Sequence, residues 1–357
     1  MSKEVMTFEG LVAPGEPART FSVVGAQFHP LGYEPLRTLT TPARLHLSWH
    51  GGEVIAGDIS GSIGQIASGN FLIESHLACR AIGLVNGGWL PSSLATHNDT
   101  LVLPDRCVVS ELRLRFKRGR TGMPREPDFI DLFADREVRI NPLFFALEGN
   151  HRRIPTHPEL AEQWHEAQTA LEMALPQAKI IPINPTTLTG VLGMLNSSLA
   201  EFQREQIFLQ RVAPSLVNPI PYNRRFERHA HLVAIADSLG VKNSSLALVA
   251  ALSVIFFPNG ASPAKRLLKV KPIYRAEDAY NALSDLRCLQ ILMHLFAMYP
   301  REKAMLCTTD RDLALFWVGL NASGFAANGR QMRYDLAPEA LFPNLSVEEL
   351  RNALRLA

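Results

Sequence analysis

The chain has 357 residues, 47% of them apolar, with a formal net charge of +2. That length suits about two domains, and that apolar share excludes wholesale disorder. The near-neutral balance excludes a protein that coats nucleic acid through a generally basic surface, so any such contact must come from local patches.

Residues 1–98 read as a β-rich region with no assigned role. Phe21-Ser22-Val23-Val24 and Arg44-Leu45-His46-Leu47-Ser48-Trp49 are strand-like in composition, and His50-Gly51-Gly52 supplies a turn. Residues 71–84 read as a helix, closed by Asn86-Gly87-Gly88. Asn98-Asp99 turns the chain into a short strand, Thr100-Leu101-Val102-Leu103-Pro104. Beyond it, Val108, Leu112 and Phe116 fall four residues apart on one helical stripe. A loop rich in Gly, Pro and Arg covers 118–127, and 128–138 reads as helical. Residues 141–150 form a short helix, with Pro142 in its first turn and Gly149 as its C-cap. From 158 to 270 the pattern is mostly helical, cut into segments by prolines. A long helix covers 277–298, with Leu283, Leu286, Leu289 and Met293 on one face. Pro300 ends it, and Ala304-Met305-Leu306-Cys307 follows as a short buried strand. The tail from 336 finishes in a helix over 347–356.

The cysteines Cys79, Cys107, Cys288 and Cys307 lack zinc-ligand spacing and read as free thiols in a reducing compartment. The amino terminus lacks the layout of a secretory signal. The longest apolar run, 244–257, is short for a bilayer span and reads as a core helix. A soluble, cytoplasmic protein without membrane contact is the expectation. The glycines of 57–69 lack a Walker lysine and read as turns. No H-E-x-x-H or G-x-S-x-G pattern is present, which argues against zinc-protease and serine-hydrolase chemistry.

Acids carry the strongest chemical signal. Asp105 follows a short apolar strand and opens a helix. Glu148 ends a short apolar helix. Asp285 lies on the long helix before the last strand, sharing a face with Asp278. Asp310 and Asp312 follow that strand in Thr308-Thr309-Asp310-Arg311-Asp312-Leu313. Phosphodiester hydrolysis needs an activated water and a neutralised phosphate, which one or two Mg²⁺ or Mn²⁺ ions supply. Such ions take hard oxygen ligands, and converging carboxylates meet that demand. Each acid also has a structural reading, since aspartate is a common N-cap. The densest basic stretch, with Arg113, Arg115, Lys117, Arg118, Arg120 and Arg125, comes just after Asp105 and suits phosphate-backbone contact or a solvated face equally.

Leu103-Pro104-Asp105-Arg106-Cys107-Val108-Val109-Ser110-Glu111-Leu112 and Asp285 with Thr308-Thr309-Asp310-Arg311-Asp312-Leu313 resemble the motifs of PIN-domain nucleases. Arg106 and Cys107 stand where that family usually has Thr-Asn. The resemblance spans about 100–155 and 272–320. It implies an α/β fold with a PIN-like three-layer core and a parallel sheet. That core would run over 99–157 and 271–335, interrupted by a helical insertion at 158–270 and followed by a C-terminal helix at 336–357. It implies a Mg²⁺- or Mn²⁺-dependent endoribonuclease, acting as a toxin or defence effector. Asp105, Glu148, Asp285 and Asp310 would be catalytic and metal-holding, with Asp312 an outer ligand or a cap. Arg113, Arg115, Lys117, Arg118 and Arg120 would steer RNA or another single strand. It leaves room for a protein inhibitor and a homo-oligomer. Two alternatives stand beside it: a non-catalytic regulatory module with a degenerate PIN-like fold, and a DNA-directed nuclease.

Overall fold

Buried and exposed residues alternate along Ala43–Gly57, half-buried and exposed ones along Ile66–Ser75, and period-two alternation makes a strand with one covered face. The two pair as a long antiparallel hairpin in the computed structural model, which describes residues 5–10, 19–58, 62–97, 99–121, 125–149, 152–328 and 331–355. Arg19–Val24, Gln27–Phe28 and Val5–Gly10 complete a five-stranded sheet. Its covered face holds Val23, Ala26, Trp49 and Val54, with Phe8 and Phe21 packed against Trp49. The helix expected over 71–84 is absent. Phe71 and Ile73 turn inward while Leu72 and Glu74 face out. An apolar Leu72 on the outer face hides that alternation in the sequence. His50-Gly51-Gly52 is no turn between strands but an irregularity inside one, where register shifts between Trp49 and Gly52.

The central sheet is built from six strands. In chain order its elements are β1 (Ile82–Val85), β2 (Gly88–Pro91), β3 (Leu101–Pro104), α1 (Arg106–Arg115), β4 (Arg139–Ile140), α2 (Leu143–Glu148), α3 (His157–Ala174) and β5 (Lys179–Ile180). There follow α4 (Pro185–Val212), α5 (Arg225–Leu239), α6 (Leu246–Phe256), α7 (Pro263–Leu267), α8 (Ala276–Met298), β6 (Ala304–Thr308) and α9 (Arg311–Leu320). Spatial order is β5-β4-β3-β6-β1-β2. The first four run parallel, and β1 and β2 add an antiparallel hairpin. Every residue of β6 is buried, as parallel strands covered on both faces require. The protein is thus a mixed α/β fold whose sheets include parallel strands.

Residues 158–270 do not stand apart from this sheet. Within that span, α3 packs on α1 and α2, and β5 extends the parallel edge beyond β4. The purely helical part begins only at α4. Every residue of α6 is buried, the state of a helix that is apolar all round. Among the described residues no single helix is long and apolar enough to cross a membrane. One bent pair, α6 with Pro258–Leu267, passes by length and composition at a 113° break. The helix expected over 128–138 shortens to a 3₁₀ turn, Phe129–Phe133, opened by Asp128. The last helix is Val347–Leu354. Residues 61, 98, 122–124, 150 and 356, which enter the sequence reading, lie outside the described residues.

Candidate functional site

Parallel strands end on a common edge, and α/β proteins bind ligands there. Pro104 of β3 pairs with Cys307 of β6, so Asp105 and the Thr308–Asp310 segment leave the sheet side by side. The Asp105 amide donates to the Cys307 carbonyl at 3.0 Å, which ties the two exits together. Asp105 then caps α1, its Oδ1 accepting from the Val108 amide at 2.8 Å. Asp310 caps α9, its Oδ1 accepting from the Asp312 and Leu313 amides at 2.8 and 3.0 Å. Between them sits Thr308, fully buried. Its hydroxyl accepts from the Asp310 amide at 2.9 Å and lies near enough to the Asp105 carboxyl to favour its charged form.

Glu148 arrives from the next parallel unit. Asn141 continues β4, its amide donating to the Val102 carbonyl, and the short α2 ends on Glu148. The Glu148 carboxylate faces Arg106, in the first turn of the helix that Asp105 caps, which favours its charged form. Asp285 comes from α8. The helix between Asp285 and Met298 is about 20 Å long, close to the roughly 17 Å of β6. A helix joined to β6 through the short 299–303 segment therefore carries Asp285 to the level of the strand's end. Asp278, about 10 Å farther along the same face, pairs with Lys271 at 2.8 Å and accepts from the Arg275 amide. Asp285 faces Lys269 at 4.0 Å.

The four carboxyls feel one another. Burial, opposed by Thr308 and by the Val108 bond and reinforced by Glu148 and Asp310, pushes Asp105 up to about 7. Burial holds Asp285 well above the usual carboxylate range, against Lys269 and with Glu148, Asp310 and Asp105. Burial raises Glu148 too, countered by Arg106 and Lys269. Cys107, exposed beside all four acids, is pushed up to about 11, first by desolvation and then by their charges. A thiol so raised is a poor nucleophile. Glu148 and Asp285 line a cleft of about 320 Å³ together with Arg106, Arg152, Lys269 and Asn281.

Asp312 is engaged elsewhere: Arg266 grips both its oxygens, at 2.6 to 2.8 Å. The basic stretch is also displaced. Arg115 is 2% exposed and bound to Glu111 and Asp131, so it holds the fold and offers no surface for nucleic acid. Arg113, Lys117, Arg118 and Arg120 are exposed. They sit at the far end of α1, about 15 Å from Asp105. Arg118 and Gly119 turn a small hairpin there, anchored to the Met173 and Ala174 carbonyls. That is the sheet's opposite edge. The cations that do reach the acids, Lys269 and Arg106, have no local pattern to announce them.

The donor chemistry suits a hard divalent cation: four carboxylates, all oxygen, from four separate elements. Among the described residues no three acids, cysteines or histidines stand close enough to hold one ion as they are.

Comparison with family models, curated proteins and solved structures found no match.

Proposed function

We propose that Asp105, Glu148, Asp285 and Asp310 form a Mg²⁺ or Mn²⁺ site that hydrolyses RNA phosphodiesters, in the manner of the PIN-domain nucleases that the chain resembles. The observation that carries this reading is the chain of bonds at one sheet edge. The Asp105 amide donates to the Cys307 carbonyl, the Asp310 amide donates to Thr308 Oγ1 beside it, and Glu148 and Asp310 both act on the Asp105 carboxyl. Asp285 shares the cleft with Glu148. The motifs around Asp105 and Asp310 support it independently.

When bound, the metal supplies the positive charge that activates water and offsets charge building on the phosphate. The remaining work falls to the chain. Asp105 and Asp310 give one oxygen to their helices and keep the other for ligation. Thr308 lies between them and holds the Asp310 amide. Lys269 and Arg106 border the acids on the cleft side and suit the non-bridging oxygens of a phosphate.

The test is cleavage of single-stranded RNA by purified protein with Mn²⁺, alongside Asp105→Asn and Asp310→Asn. Both variants should lose at least a hundredfold in activity while staying folded, because Asn caps a helix as well as Asp. Full activity in either variant overturns the assignment. A Mn²⁺-dependent thermal shift without cleavage of RNA or DNA would make the site a cation-binding module.

A further inference from the structure

We infer that single-stranded nucleic acid leaves the proposed catalytic acids along one side only, through two adjoining clefts joined at Arg152. The inference rests on the nuclease reading and adds to it the path of the strand. The cleft holding Glu148 and Asp285 is bordered by Arg106, Lys269 and Arg152. A second cleft, about 560 Å³, is bordered by Arg152, Lys271, Arg275 and Ile273, and by the acids Glu277 and Asp278. Arg152 belongs to both, so the two form one open track leading off past the start of α8.

Leaving aside Glu148 and Asp285, five cations line it against two acids, an excess that suits a phosphate chain. Lys269 is 60% exposed and pairs loosely with Asp285, at 4.0 Å. Lys271 is paired with Asp278 yet still half exposed, as a phosphate-contacting lysine must be. Ile273, 71% exposed, gives a base an apolar surface beside the cations. By contrast, in the cleft on the other side of α1, Arg311 is spent on three main-chain carbonyls and Arg115 is buried in ion pairs, which leaves Arg80, paired with Glu126 yet exposed.

The experiment uses full-length Asp310→Asn protein, so that the probe is not cut. A fluorescein-labelled oligouridylate is titrated at several salt concentrations, and anisotropy is read. Adding Arg152→Gln and Lys271→Gln together should weaken binding about tenfold and flatten the salt slope by about 1.4, two phosphate contacts on a single strand. Arg113→Gln with Lys117→Gln, an equal charge change at the far edge, should move neither. Equal losses from the two pairs, no loss from the first, or no binding at all overturns the path. The two readings fail separately. Binding lost as described, with no Mn²⁺-dependent cleavage by the unmodified protein, removes the nuclease and keeps the path. Cleavage of a long strand that ignores Arg152→Gln and Lys271→Gln does the reverse.

Discussion

An aspartate after a strand invites two readings, helix cap or ligand, and Asp105 and Asp310 show that they are compatible. For Asp310 both capping bonds fall on Oδ1, so half the carboxylate stays available. Asn preserves the cap and removes the charge. In the metal-free protein at pH 8, Asp105→Asn should therefore raise the melting temperature by a few degrees, since a charge is withdrawn from a crowded buried site. Mn²⁺ should stabilise the unmodified protein by about 2.7 kcal/mol at a hundredfold excess over its dissociation constant, and the variant far less. Calorimetry with and without Mn²⁺ checks both, and an equal Mn²⁺ shift in the two proteins refutes the assignment. Thr308 allows a finer test. Thr308→Val keeps the shape but strips the hydroxyl that holds the Asp310 amide, leaving that part-buried amide unpaired at a cost of about 1–3 kcal/mol. Thr308→Ser restores the bond. RNA cleavage should fall at least tenfold in the valine variant and recover with serine; no difference between the two refutes this role of Thr308.

At the scale of elements, legibility followed how local the governing physics is. The strand before Asp105, the buried Ala304–Thr308 strand and the Asp285 helix each carry their whole signal within a few residues: an apolar run, a cap, a stripe. Residues 71–84 failed because the outward Leu72 blurred the alternation, and Lys179–Ile180 failed because a two-residue strand has no pattern. Arg115 misled because its partners, Glu111 and Asp131, are chosen by folding and not by spacing. Inside the helical layer a different acid is also invisible in the sequence. Glu205 on α4 is buried, accepts from Ser245 Oγ at 2.5 Å and is pushed up to about 6, chiefly by burial. Its folded value lies above the unfolded one, about 4.5. The folded state thus holds the extra proton between those values, and stability falls as pH rises from about 4.5 to about 6. Glu205→Gln should remove that part of the slope in denaturant titrations; an unchanged slope would show that Glu205 titrates as an exposed acid.

Over the whole molecule, the amino-terminal region and the proposed site meet at one residue. Arg311 follows Asp310 and opens α9, yet its guanidinium leaves the helix to donate to the carbonyls of Leu36, Arg37 and Leu39 at 2.9 to 3.1 Å. The segment at 36–39 belongs to the connection between the five-stranded sheet and its long hairpin, so this contact ties that sheet to the edge where the acids gather. The Trp89 indole reinforces the tie through the Gly32 carbonyl at 3.0 Å. Arg311→Gln can satisfy at most part of this set, and leaving charged hydrogen bonds unmade costs about 1.5–3 kcal/mol. Because that loss falls on a connection and not on the core, it should appear as local opening before global unfolding. Limited trypsin digestion is expected to cut after Arg37 several times faster in the variant, while the melting temperature drops by only a few degrees. Mn²⁺ should slow the cut, since holding Asp310 in place steadies the start of α9 that Arg311 shares. Digestion at an unchanged rate would mean that the two regions are joined elsewhere and that the site is mechanically independent of the first sheet.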